Sequence, residues 1–88
     1  MIVRVVDLRV AQAQRHGVVV GLAPETAQRI AAIADFLAAA SEWKDLEFMF
    51  DELDRHEGRG WKVAVDRRWW LAFEWVEGFG PANVRLVE

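Results

Sequence analysis

The sequence predicts an α+β domain in which a short N-terminal strand is followed by two helices. The helices pack on one face of a three- to four-stranded antiparallel sheet. Three observations predict it. An alanine-rich apolar stripe recurs at helical spacing between Pro24 and Ala40. From Trp61 to Trp75 the apolar residues instead alternate with others at a period of two. Turns at Gly58-Arg59-Gly60 and at Glu77-Gly78-Phe79-Gly80-Pro81 divide the second half into consecutive strands.

Each element has its own local reason. Val3–Val6 is a β-branched run and predicts the first strand. Asp7 is placed to cap a helix over Leu8–His16, with Gly17 as its C′ residue and His16 favourable to the helix dipole. Val18-Val19-Val20 fits either a strand or a buried loop. Pro24 suits a first helical position, Glu25 the positive end of the dipole. Ala27, Ile30, Ala31, Ile33, Ala34, Leu37 and Ala38 then form one stripe. Beyond Ser41, the apolar residues Phe48, Phe50 and Leu53 stand among acids and fit an edge strand or an irregular segment. Trp61, Val63 and Val65 begin the meander, and Asp66-Arg67-Arg68 interrupts it as a hairpin connection does. Trp69, Leu71, Phe73 and Trp75 point to one face, Trp70, Ala72 and Glu74 to the other. Ala82–Val87 makes the last strand.

With 88 residues the chain has room for one domain spanning residues 1–88 and no second. A domain this small must use its large apolar side chains well, and five Trp and five Phe supply them. The absence of Cys excludes disulfides, a thiolate metal site and a thiol nucleophile. No His/Asp/Glu spacing points to a metal, no glycine-rich loop to a bound nucleotide, and no cofactor is expected. The opening residues are too short and too charged for a signal peptide, and no stretch approaches a membrane span, so the expected location is cytoplasmic with no membrane partner. The net charge of −3 argues against a dedicated nucleic-acid binder. The charge is uneven, however: Glu42 to Asp54 is acidic, whereas Arg55, Arg59, Lys62, Arg67 and Arg68 make the next stretch basic.

Several stretches together resemble the HigB-type plasmid-maintenance toxins of the RelE/ParE superfamily. Val19-Val20-Gly21-Leu22-Ala23-Pro24, with Ala27 and Arg29-Ile30, is similar to that family's "GI-x-P-x-x-A-x-R-L" helix opening. Leu37-Ala38-Ala39-Ala40 is similar to its "L-x-x-A" helix end. Gly60-Trp61-Lys62-Val63-Ala64-Val65-Asp66-Arg67-Arg68-Trp69-Trp70-Leu71-Ala72-Phe73-Glu74-Trp75 resembles "G-x-W-S-V-x-V-N-x-x-W-R-I-x-F-x-W". Gly78, Ala82 and Val84-Arg85-Leu86-Val87-Glu88 resemble the closing "G-x-A-x-x-V-x-x-x-D-Y-H". The resemblance implies a RelE-like fold and the toxin role in a type II toxin–antitoxin pair. It implies as partners a cognate antitoxin, expected to be of the helix-turn-helix type, and the ribosome with its mRNA. The implied reaction is metal-free transfer of an RNA phosphodiester to the neighbouring 2′-OH. That reaction needs a base, a cation for the phosphorane and an acid for the leaving oxygen.

The sequence departs from the family at the strand arginine, at the closing Tyr-His pair and in its acidic balance. Trp70 stands where the family has its phosphate-binding strand arginine, and an indole cannot replace a guanidinium. Glu88 stands where it has the Asp of "D-Y-H", and the Tyr-His pair has no counterpart here. The substitutes expected for catalysis are Arg68, His56 and Glu88. Arg59, Lys62, Arg67 and Trp70 are expected to contact RNA. An outward indole on an open sheet face calls for cover by a partner protein, an RNA base or the chain's own loop or tail. The alternative function is a non-catalytic binding module on the Trp70 face, either an inactivated toxin or one resembling the ParE-like inhibitors of gyrase.

Overall fold

The computed structural model describes residues 4–50, 53–56, 58 and 60–88. Among them three helices precede four strands: α1 (Leu8–His16), α2 (Pro24–Ala39), α3 (Trp43–Met49), β1 (Leu53–His56), β2 (Gly60–Ala64), β3 (Trp70–Val76) and β4 (Gly80–Val87). The strands form one antiparallel sheet in the order β1-β2-β3-β4, which is the α+β meander expected. The first strand expected over Val3–Val6 is smaller: a single parallel bridge joins Val5 to Val84. There the Val84 amide donates to the Arg4 carbonyl at 3.0 Å and the Val6 amide to the Val84 carbonyl at 3.1 Å. Val3 lies outside the described residues.

Local chemistry sets the helix ends. Asp7 caps α1, its carboxylate accepting the Arg9 amide at 2.9 Å. Gly17 closes the helix at φ 70°, a left-handed conformation that carries little penalty without a Cβ. α2 starts on Pro24 and buries Thr26, Ala27, Ile30, Ala34 and Leu37. Between α1 and α2 the Val18–Val20 stretch is a loop, with Val19 buried and Val20 98% exposed.

α3 replaces the edge strand or irregular segment expected around Phe48 and Phe50. Its first turn is closed by Asp45, whose carboxylate accepts the amides of Ser41 at 2.9 Å and Glu42 at 3.0 Å. Those two amides hold the Asp45 carboxyl below its ordinary pKa. Leu46 is fully buried, and the Trp43 ring lies 4.5 Å from Trp61 and 5.8 Å from Trp75. Leu53 then opens the edge strand β1. That strand is only four residues long and carries Asp54, Arg55 and His56, a composition that discourages another strand from pairing with its free edge.

One face of the sheet meets the helices. Val63, Val65, Leu71, Phe73, Val84 and Leu86 form a single core with Val10, Ala13, Ile30, Leu37 and Leu46. Trp61, Trp69 and Trp75 pack on its margin, so the alternation expected for the meander holds. β4 begins earlier than expected, and Pro81 lies inside it opposite Trp75. The β3–β4 register shifts between Ala72 and Glu74, where Asn83 takes φ 53° in β4. The extra residue is a bulge.

Asp7 joins the two ends of this architecture. Beyond capping α1 it accepts the Leu86 amide at 3.0 Å and pairs with the Arg9 guanidinium at 2.9 Å. Burial pushes its carboxyl pKa upward, but the Arg9 side chain and the Leu86 and Arg9 amides outweigh burial and hold it below the ordinary value. A carboxylate with a lowered folded pKa stabilises the fold above its unfolded pKa, and that contribution is lost as pH falls through the folded value. Asp7→Ala is therefore expected to cost about 2–3 kcal/mol in urea unfolding at pH 7. The variant's deficit should shrink when the same measurement is repeated below pH 3.

Candidate functional site

The opposite sheet face carries the polar chemistry. Strand pairing arranges it in three rows. His56, Gly60, Glu74 and Ala82 form one row, Asp54, Lys62, Ala72 and Arg85 the next, and Ala64, Trp70 and Val87 the third. The helices bury their apolar stripes against the other face, so among the described residues no helix lies over these rows. Ala72 and Ala82 are buried yet stand outside the core cluster. They make, with Gly60 and Ala64, a floor of small residues between the longer side chains.

Trp70 projects from this face, as the alternation predicts, and is half-buried. Its partial cover was not among those anticipated. Lys62, a diagonal neighbour on β2, places its ammonium 4.4 Å from the ring centroid. Lys62 is thus held on the face by an aromatic contact. Beside them, Glu74 accepts the Asn83 Nδ2 at 2.7 Å, and Arg85 donates from Nη1 to the Asn83 carbonyl at 2.9 Å. The bulge thus ties one carboxylate and one guanidinium into place. Arg85 and Glu74 were not picked out from sequence as site residues. The signal that could have found Arg85 is its position between Val84 and Leu86, which sets it outward on the last strand.

The three residues expected as catalytic substitutes do not converge. Arg68 and Glu88 meet, with Arg68 Nη2 2.9 Å and Nε 3.2 Å from Glu88 Oε1. Both are exposed, so the pair adds little stability. His56 is on the edge strand, opposite Gly60, whereas Arg68 follows the far end of β2. The five-residue strand from Gly60 to Ala64 spans about 13 Å on its own. Arg67 is exposed in the bend between β2 and β3, and Arg59 lies outside the described residues.

That bend is itself fixed to α2. Asp66 accepts the Thr26 hydroxyl at 2.8 Å and the amides of Arg68 and Trp69 at 2.9 Å each, and Arg29 donates to the Val65 carbonyl at 3.0 Å. The Thr26 hydroxyl, followed by the two amides, holds the Asp66 carboxyl below its ordinary pKa. Trp69 lies between two guanidiniums, Arg68 at 4.9 Å and Arg9 at 5.2 Å.

The face therefore offers fixed cations, a half-exposed indole, an imidazole and a carboxylate over a low floor. Such a set can bind an anion, stack a planar ring and move a proton without a metal. Among the described residues no cluster of His, Asp and Glu is arranged to hold a metal ion, and no helix is long and apolar enough to cross a membrane. Comparison with protein-family models and with curated proteins gives no match to either.

Thr26→Val removes the leading cause of the depressed Asp66 pKa. Titration of the carboxyl carbon by NMR should show that pKa rising toward the ordinary aspartate value, with the Trp69 indole signal shifting as the bend loosens.

Proposed function

We propose that this protein is the toxin of a type II toxin–antitoxin pair with a RelE-like fold of the HigB kind, acting in the cytoplasm on RNA. The observation that carries the reading is the open sheet face, where Lys62, Arg85 and Trp70 stand together beside His56 and Glu74. Lys62 and Arg85 meet the phosphates of a single strand, and Trp70 stacks a base next to them. In this reading the indole at position 70 has traded charge for stacking. The cationic role moves to Lys62 and Arg85.

For cleavage, His56 and Glu74 are the groups placed to exchange protons. They flank Gly60 in one row, their α-carbons about 10 Å apart across two strand spacings. Gly60 stands between them in the row and adds no side chain of its own. One group takes the 2′-OH proton and the other returns a proton to the leaving 5′-oxygen. Arg68 lies outside this row and acts, with Glu88, at the margin.

A second reading is a binding module that cuts nothing. It is favoured by the charge balance of the same face, where Asp54 and Glu74 offset Lys62 and Arg85, and by the commitment of Arg68 to Glu88. Expression of the chain alone separates the two readings. Growth arrest with cleaved transcripts is the outcome expected of the interferase. Arrest with intact mRNA and DNA-damage signalling marks the gyrase-type module, and normal growth marks an inactive protein.

Two variants sharpen the first outcome. His56→Ala should lower transcript cleavage by about 100-fold, as measured by primer extension, while leaving oligonucleotide affinity within two-fold. Trp70→Ala should weaken binding of a single-stranded RNA oligomer by about ten-fold in fluorescence anisotropy, the loss expected for one stacked base.

A further inference from the structure

A second surface lies on the helix side of the sheet, where α3 meets the β3–β4 turn. A groove of about 480 Å³ runs between Ser41, Glu42, Trp43 and Lys44 on one bank and Trp75, Glu77 and Gly78 on the other. Its walls are two indoles set at 72° to one another, with ring centroids 5.8 Å apart. Glu42 and Glu77 rim it, and Lys44 leans toward Glu42 at 3.7 Å.

The tryptophans of this molecule follow a rule that these two break. Trp61 carries the Arg55 guanidinium at 4.6 Å, Trp69 those of Arg68 and Arg9, and Trp70 the Lys62 ammonium. Among the described residues no cation lies over Trp43 or Trp75, although both line a groove with carboxylates at its edge. The electron-rich ring faces and the Glu77 carboxylate, which has no ion pair among the described residues, favour positive charge, Glu42 already holding Lys44. Guanidinium fits better than ammonium, because its plane stacks on an indole while its N–H fork meets a carboxylate.

We infer that this groove receives an arginine side chain presented by a partner polypeptide. A polypeptide rather than a small cation is indicated by the turn beside the groove. There Val76 is 38% and Phe79 64% exposed, leaving apolar surface for the residues next to the arginine. The site is separate from the open face, and the inference stands whether or not that face binds RNA.

The test uses the intact chain and the amidated tripeptide acetyl-Leu-Arg-Leu, with its citrulline counterpart and spermidine as controls. The probe is the set of five tryptophan indole N–H resonances. The arginine peptide should move the Trp43 and Trp75 signals saturably, and the citrulline peptide should not. The variant Glu77→Gln, which alters one side chain at the groove rim and leaves the Glu42–Asp45 cap of α3 intact, should weaken the response about two- to five-fold. Equal response to citrulline, response confined to the other indoles, or no response overturns the assignment. Spermidine matching the peptide overturns the polypeptide part of it.

Discussion

The carboxylate of Asp7 is the constraint on which the rest of this small fold depends. One side chain caps the first helix, accepts an amide from the last strand and holds the Arg9 guanidinium. Each contact alone is ordinary. Together they fix where α1 lies against β4, and with it the position of Val10 and Ala13 in the core. Arg9 then extends the arrangement by reaching Trp69 and the Leu86 carbonyl. With so little interior to share, such a domain depends heavily on a partly buried polar junction of this kind.

Tryptophan is divided between the two faces with different consequences. On the helix side Trp61, Trp69 and Trp75 close the margin of the core, and Trp61 and Trp69 present ring faces to cations at the surface. On the open side a single indole, Trp70, rises from a floor of glycine and alanine with Lys62 beside it. The small residues matter as much as the aromatic one. Larger side chains at Gly60, Ala72 or Ala82 would fill the face and lift Lys62 and Arg85 away from it.

Much of this was legible in the residues because the signals are local. Asp7 and Gly17 bracket α1, Pro24 opens α2, and the period of two places Trp70 outward. α3 was not legible. Seven residues are too few to display a stripe, and the acidic Glu42–Asp54 stretch conceals that Asp45 closes a helix turn while Leu46 buries and Trp43 packs against the margin of the core. The site was legible only in part. Trp70 and Lys62 were singled out, yet their contact depends on strand register. Glu74 lies on the face to which the period of two assigns it and Arg85 stands outward between Val84 and Leu86, but no composition signal announces the bulge at Asn83 that holds both in place. The Arg68–Glu88 pair joins residues 20 positions apart, a distance over which sequence pattern is silent.

The bridge from Val5 to Val84 and the bond from Leu86 to Asp7 set an order of events for the newborn chain. The residue that caps the first helix waits for an amide made 79 positions later, a delay of roughly 4–16 s at ordinary rates of synthesis. During that interval α1 has no strand to rest on, and the valine-rich segment beside it stays unpaired. Docking of the final strand completes the sheet edge, the helix cap and the interior in a single step. The junction of α1 with the sheet is therefore not assembled before residue 86 has been made.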